Sequence, residues 1–193
     1  MKKLLFYVIA FATTLSLSSC SYNGMVDRDE SVKAAWSQVE NVYQRRMDLI
    51  PNLVNTVKGE ANFEKSTLTE ITEARASATQ TNIKVDNLSP ENIAKYQAAQ
   101  DRLSSTLSRL LVASENYPTL KGNQAFRDLA AELERTEGRI TIARKDFNEA
   151  VADYNKYIRG FPNNLSAGMF GFTPKGYFTA AAGADKAPTV KFE

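Results

Sequence analysis

The chain has 193 residues, 43% of them hydrophobic and 24% charged, enough to bury a core and too polar for a polytopic membrane protein. It contains no histidine and a single cysteine, which excludes Ser-His and Cys-His nucleophiles, histidine-ligated metals and any internal disulfide. Lys and Arg number 24 against 22 Asp and Glu; Lys2 and Lys3 supply that excess from the extreme N-terminus, so the charge predicts no nucleic-acid partner.

Residues 1–19 read as a removable export signal: Lys2-Lys3, an apolar run over 4–12, then small residues. That run is well short of the ~20 residues a spanning helix needs. Leu17-Ser18-Ser19-Cys20 resembles a bacterial lipobox, which makes Cys20 the expected lipidation site, with the sulfur carrying a diacylglyceryl group and the new amine an acyl chain such as palmitate. Several acyl chains give stable attachment, where one holds only marginally. Residues 20–28, with Asn23-Gly24, are expected to form a lipidated tether, followed by a helical bundle over 29–160 and a tail over 161–193.

From the tether to about Gly160 the periodicity is helical, and the predicted fold class is all-α. A first helix, about Asp29 to Lys58, puts Val32, Trp36, Val39, Tyr43, Arg46, Ile50, Leu53 and Val57 on one seam. Asp27 or Asp29 is its expected cap and Gly59 its expected stop. Pro51 lacks an N–H and crowds the carbonyl of Met47, which predicts a kink there. A second helix, about Asn62 to Gln80, carries Leu68, Ile71, Ala74 and Ala78, and a polar loop is expected over 81–89.

Ser89-Pro90-Glu91 places an N-cap, a first-turn proline and a first-turn acid at the start of a third helix. Its seam is Ile93, Tyr96, Gln100, Leu103, Leu107, Leu110, Ser114 and Tyr117. The fourth, about Asn123 to Arg159, runs Phe126, Leu129, Leu133, Thr136, Ile140, Ala143, Phe147, Ala150, Tyr154 and Tyr157, and is expected to be the longest at ~55 Å. Gly160-Phe161-Pro162 ends it. Short connections near 59–61, 81–89 and 118–122 predict an antiparallel up-and-down four-helix bundle with an irregular C-terminal tail. If the chain ran straight through Gly59, three helices would remain.

Arg46 faces inward in either frame of the first seam, and a buried guanidinium requires a partner. Helical register past Gly59 makes Glu73 the first expected partner and Glu70 the second, with Arg75 beside them. Arg46, Glu73 and Arg75 are therefore the expected structural polar core. The alternative is an anion-binding cavity lined by Arg46 with Arg45 and Arg75. No inward set of acids suggests a metal site, no glycine-rich phosphate loop is present, and no cofactor or catalytic residue is expected.

The stretch Arg45-Arg46-Met47-Asp48-Leu49-Ile50-Pro51-Asn52-Leu53-Val54, with Trp36-Ser37-Gln38-Val39 before it, resembles the motif of the bacterial LemA family. Thr72-Glu73-Ala74-Arg75-Ala76, Tyr154-Asn155, Phe161-Pro162-Asn163-Asn164 and Ala187-Pro188-Thr189-Val190-Lys191-Phe192 are similar to its later blocks. The family-motif positions are thus Trp36, Arg45, Arg46, Asp48, Leu49, Ile50, Pro51, Asn52 and Leu53. The resemblance implies an envelope protein with its bundle outside the cytoplasm, supports the four-helix count, and transfers no reaction. Members commonly have a membrane-spanning N-terminus where this chain has the lipobox, and Phe63-Glu64 stands in place of His-Glu.

The tail carries Phe161, Leu165, Met169, Phe170, Phe172, Tyr177 and Phe178, too apolar for a solvated disordered segment. It is expected to fold over the end of the fourth helix, covering Tyr154 and Tyr157; the alternative is a second membrane contact or a partner surface. The expected function is a non-enzymatic scaffold or adaptor, anchored to a bacterial envelope membrane through Cys20 and engaging another envelope protein. The alternative is an envelope enzyme or ligand-binding protein using the inward Arg46/Glu73 cluster.

Overall fold

A computed structural model describes the backbone of residues 2–60 and 63–180, with side chains from Ser21 onward. The side chains of residues 1–20, on which the expected export signal and Cys20 lipidation fall, and the tail beyond 180 lie outside the described residues. The described chain is all-helical: α1 Lys2–Lys58, α2 Lys65–Gln80, α3 Pro90–Ser114, α4 Pro118–Gly122 and α5 Gln124–Arg159, then a 3-10 turn Asn163–Leu165. No strand occurs among the described residues.

Local signals set most helix ends. Gly59 terminates α1, Ser89 Oγ accepts from Asn92 N–H at the start of α3, and Asn123 Oδ1 accepts from Phe126 N–H at the start of α5. Three expectations are corrected. First, α1 does not begin at Asp29 but runs unbroken through the expected tether, because Met25 is fully buried and Gly24 lies against Tyr157, leaving no room for a side chain. Neither Asp27 nor Asp29 is a cap, and α1, even counted from Ser21, exceeds α5 in length. Second, the connection before α5 contains the short helix α4, which buries Leu120. Third, the 81–89 loop is not simply polar, since Ile83 and Leu88 are buried.

All eight α1 seam residues and all four of α2 are buried, and the α3 seam is buried through Ser114. On α5 the pattern shifts toward the C-terminus, where Val151, Asn155 and Ile158 are buried and Ala150 and Tyr157 are only partly so. The cause is a second covering layer: residues 172–178 lie along the last turns of α5, widening the buried arc.

The core falls into two clusters. The lower joins α1 from Met47 to Val57 with α2, Leu103 to Leu110 of α3, and Phe126 and Leu133 of α5. The upper joins α1 from Met25 to Tyr43 with Ile93 and Tyr96, α5 from Ile140 to Ile158, and Ile83, Leu88, Ala167 and Phe178 from outside the long helices. With 16 residues, α2 is too short to reach the upper half. The loop after it and the tail fill the space it leaves.

Contacts between α1 and α5 run in opposite chain order: Arg28 with Asp153, Trp36 with Phe147, Tyr43 with Arg144, Arg46 with Glu137.

Candidate functional site

Arg46 lies between the two clusters with 1% exposure. Its Nη1 donates to Ser104 Oγ at 2.7 Å and Glu137 Oε2 at 3.0 Å, and its Nη2 to the Gln100 carbonyl at 3.3 Å and to Gln100 Oε1. The Ser104 hydroxyl donates in turn to Glu137 Oε1. The guanidinium sits 4.9 Å from the Tyr43 ring centre, and only Nε has no hydrogen-bond partner. The carboxylate that balances Arg46 is therefore Glu137 on α5.

The expected Glu73 partner is a correction. Glu73 is exposed, and Glu70 pairs with Arg109 at 2.7 Å. Ile71, Ala74 and Ala78 point inward; at ~100° per residue, Glu73 then projects sideways and outward from the α2 face, although it stands at the correct height. Register alone does not supply rotational phase.

Arg75 has a different task from the one expected. Its Nε donates to the Met47 carbonyl at 3.1 Å. That is the carbonyl deprived of its helical donor by Pro51, four residues on. Helix α1 continues through Pro51 with this acceptor satisfied by α2.

A second polar layer lies above the first. Arg144 Nε donates to Tyr43 Oη at 2.6 Å and its Nη2 to Asp101 Oδ1 at 2.7 Å. Burial pushes the Tyr43 phenol up, partly offset by Arg144 and Arg46. Burial alone would lower the Arg144 value, but contacts with Tyr43 and Asp101 outweigh it and hold it above its ordinary level. Gln97 Nε2 donates to Asp101 at 3.2 Å, linking this layer to the tail.

The tail is held by three side-chain amides, each bonding both backbone groups of one residue. Asn155 binds the Lys175 carbonyl and N–H at 2.9 Å each; Asn148 binds those of Phe178 at 2.8 and 2.9 Å; Gln97 binds those of Thr179 at 2.8 and 2.9 Å. Asn148 and Asn155 are two helical turns apart, ~10.5 Å, which matches the ~10 Å spanned by three extended residues from 175 to 178. Phe178 stacks on Trp36 at 6.2 Å and meets Phe147 edge-on at 5.4 Å. The Tyr154 hydroxyl donates to Thr173, and burial, reinforced by the Asp29 charge, pushes its pKa up to about 12.

Sequence reading missed Glu137, Arg144, Asp101, Gln97 and Asn148, and placed Asn155 only in a family block without its role. The available signal was spacing: Glu137 and Arg144 are seven apart, as are Asn148 and Asn155, each pair flanking the α5 seam. Two open clefts of about 210 and 240 Å³ flank the Arg46 layer, the first lined by Glu40, Tyr43, Tyr96 and Gln100, the second by Arg46 itself with Ser104, Leu107, Leu133 and Glu137. Among the described residues no group of three or more acids or cysteines could hold a metal ion.

The family model described as the LemA family matches residues 35–192. The chain belongs to the LemA family. It is 28% identical over 199 residues to magnetosome protein MamQ 1 of Paramagnetospirillum magneticum, covering 92% of this chain and 71% of that protein. It is 27% identical over 188 residues to magnetosome protein MamQ of Magnetospirillum gryphiswaldense, covering 89% and 68%. It is 26% identical over 167 residues to protein LemA of Metamycoplasma hominis, covering 84% and 72%. In this LemA-family chain the motif residues divide by face. Trp36, Arg46, Ile50 and Leu53 are buried, Leu49 is half-buried, and Asp48, Pro51 and Asn52 are exposed. Arg45 reaches Glu132 of α5 at 2.6 Å.

Proposed function

We propose that this LemA-family protein is a non-catalytic scaffold or adaptor, a four-helix antiparallel bundle with an appended tail, held on a bacterial envelope membrane by acylated Cys20 and facing away from the cytoplasm. One observation carries the scaffold reading: the one deeply buried guanidinium among the described residues is occupied by protein groups, with Glu137, Ser104 and Gln100 taking four of its hydrogen bonds. An anion-binding or catalytic arginine would need those donors free. The reversed contact order between α1 and α5 supports the antiparallel arrangement. The Leu17-Ser18-Ser19-Cys20 segment and the likeness to proteins of the magnetosome support a membrane-associated place. The partner is another envelope protein, engaged through the exposed helix faces.

The test is crosslinking in cells from photoreactive side chains at Glu73, Asp48 and Ile142. Capture of a defined envelope protein is expected; crosslinks only to small molecules in the clefts would overturn the adaptor reading. Radiolabelled palmitate incorporated into the natural chain and lost in Cys20→Ser is the expected result for the anchor, and equal labelling of both would refute it.

A further inference from the structure

Exposed large apolar side chains are concentrated at one end of the molecule. Of the eight among the described residues, six are Tyr22, Phe161, Leu165, Met169, Phe170 and Tyr177; only Val112 and Ile142 lie elsewhere. Phe161 and Met169 are each 82% exposed. Scattered apolar residues on a surface are ordinary, whereas a contiguous group needs a function.

Phe161, Leu165, Met169 and Phe170 share one loop that packs against Tyr22, while Tyr177 stands beside it, its hydroxyl accepting from Asn155 Nδ2 of α5 at 3.1 Å. The Ser21 hydroxyl donates to Asn163 Oδ1, and Asn163 Nδ2 donates to the Tyr157 carbonyl at 3.0 Å. Tyr22 meets Phe170 edge-on at 5.1 Å and Phe172 at 5.8 Å. Phe172 N–H donates to the Ala167 carbonyl at 2.9 Å, with Ala167 buried beneath the turn. The 161–172 loop is thus fastened around the first turn of α1 after Cys20, with its apolar side chains turned out.

Position and charge identify the occupant. Cys20 adjoins Ser21, which puts its backbone within about 15 Å of Leu165. No slack tether separates them, because α1 is helical through this stretch. From Tyr154 to Ala180 the chain has no Asp or Glu; Lys156 and Arg159 are the cations that edge the patch, since Lys175 is held inward by Asp29 at 2.8 Å. Apolar side chains edged by cations fit a lipid surface that bears anionic headgroups.

We propose that the 161–172 loop, with Tyr22, is a membrane foot: Phe161, Leu165, Met169 and Phe170 enter the boundary between headgroups and acyl chains, beside the Cys20 anchor, and hold the helices at a set angle to the bilayer. The proposal rests on the anchored reading given above, and adds a second contact that the anchor alone does not require. Interfacial side chains of this kind sit ~5–10 Å deep.

The experiment uses the full chain, processed in a bacterial host and reconstituted into vesicles of phosphatidylethanolamine and phosphatidylglycerol. Leu165→Cys and Met169→Cys, with Val112→Cys and Ile142→Cys as controls, are each labelled with an environment-sensitive fluorophore; an acylated Cys20 does not react. Labels at 165 and 169 are expected to emit at shorter wavelength and lose intensity to nitroxide-bearing lipids, while labels at 112 and 142 remain water-like and unquenched. Water-like emission at 165 and 169 from vesicle-bound protein with acylated Cys20 would overturn the foot and leave the anchor standing. Blue-shifted but unquenched emission there would also overturn it, because a second copy or the residues beyond 180 would then be the cover. Protein with unmodified Cys20 that floats free of vesicles would overturn both readings, and unmodified protein still quenched at 165 would refute the anchor alone.

Discussion

Removing the charge of Glu137 should destabilise this protein more than removing Arg46, although Arg46 is the buried partner. Arg46 is 1% exposed, and Glu137 is 49% exposed. In Glu137→Gln the guanidinium stays in the core with only neutral acceptors, Ser104 and Gln100. Orphaning one member of a fully buried pair costs ~3–5 kcal/mol; partial solvent access to this site reduces that to about 2 kcal/mol. For a chain of this length that is a fall in Tm of ~4–8 °C. In Arg46→Met, Glu137 simply rehydrates, and the loss is the unpaired Gln100 side chain, about 1 kcal/mol. The double variant should match Arg46→Met alone, giving a coupling of ~2 kcal/mol between the sites. Thermal unfolding of the detergent-solubilised chain, followed by far-UV circular dichroism, measures all three. The reasoning is refuted if Arg46→Met is the costlier change, or if Glu137→Gln melts with the natural chain.

Further outcomes follow from other contacts. A Cβ at Gly176 would stand 2.6 Å from the Pro90 backbone, so Gly176→Ala should lift the tail at a cost of ~1–3 kcal/mol; Trp36, the sole tryptophan and stacked on Phe178, should shift its emission to the red. Asn148→Ala unpairs both backbone groups of Phe178 and should cost ~1–2 kcal/mol, with hydrogen exchange accelerated around residue 178 and unchanged in α2. Arg75→Ala should cost about 1 kcal/mol in the natural chain and almost nothing when Pro51→Ala is also present, since an alanine at that position supplies the N–H that the Met47 carbonyl lacks; equal costs in both backgrounds would dismiss the proline explanation. Burial alone would raise the Asp29 carboxyl, but hydrogen bonds from Lys175 and Lys33 hold it below its ordinary value. A lowered carboxylate stabilises above its unfolded pKa and loses that contribution as pH falls through the folded one, so Tm should drop below about pH 4, and less steeply in Asp29→Asn.

Much of the architecture is written locally. The α1 and α2 seams, the α3 seam through Ser114, the cap at Ser89, the start of α5 near Asn123 and the stop at Gly59 rest on interactions within one or two helical turns, so periodicity and residue chemistry suffice to place them. The inward position of Arg46 is of the same kind, since seven other apolar residues set its phase.

Its partner is not. Whether Glu73 or Glu137 meets that guanidinium depends on the rotation of a second helix about its own axis and on which helix packs closest, quantities that no local interaction sets. Likewise, the 81–89 loop reads as polar until the shortness of α2 leaves an apolar space for Ile83 and Leu88 to occupy. The tail shows the division most clearly. Its aromatic content shows that it must be covered, while the matched ~10 Å spacing of the Asn148 and Asn155 amides and the extended chain decides where. Local hydrogen bonding determines the helices of this protein, and the distances between them determine which polar groups find one another.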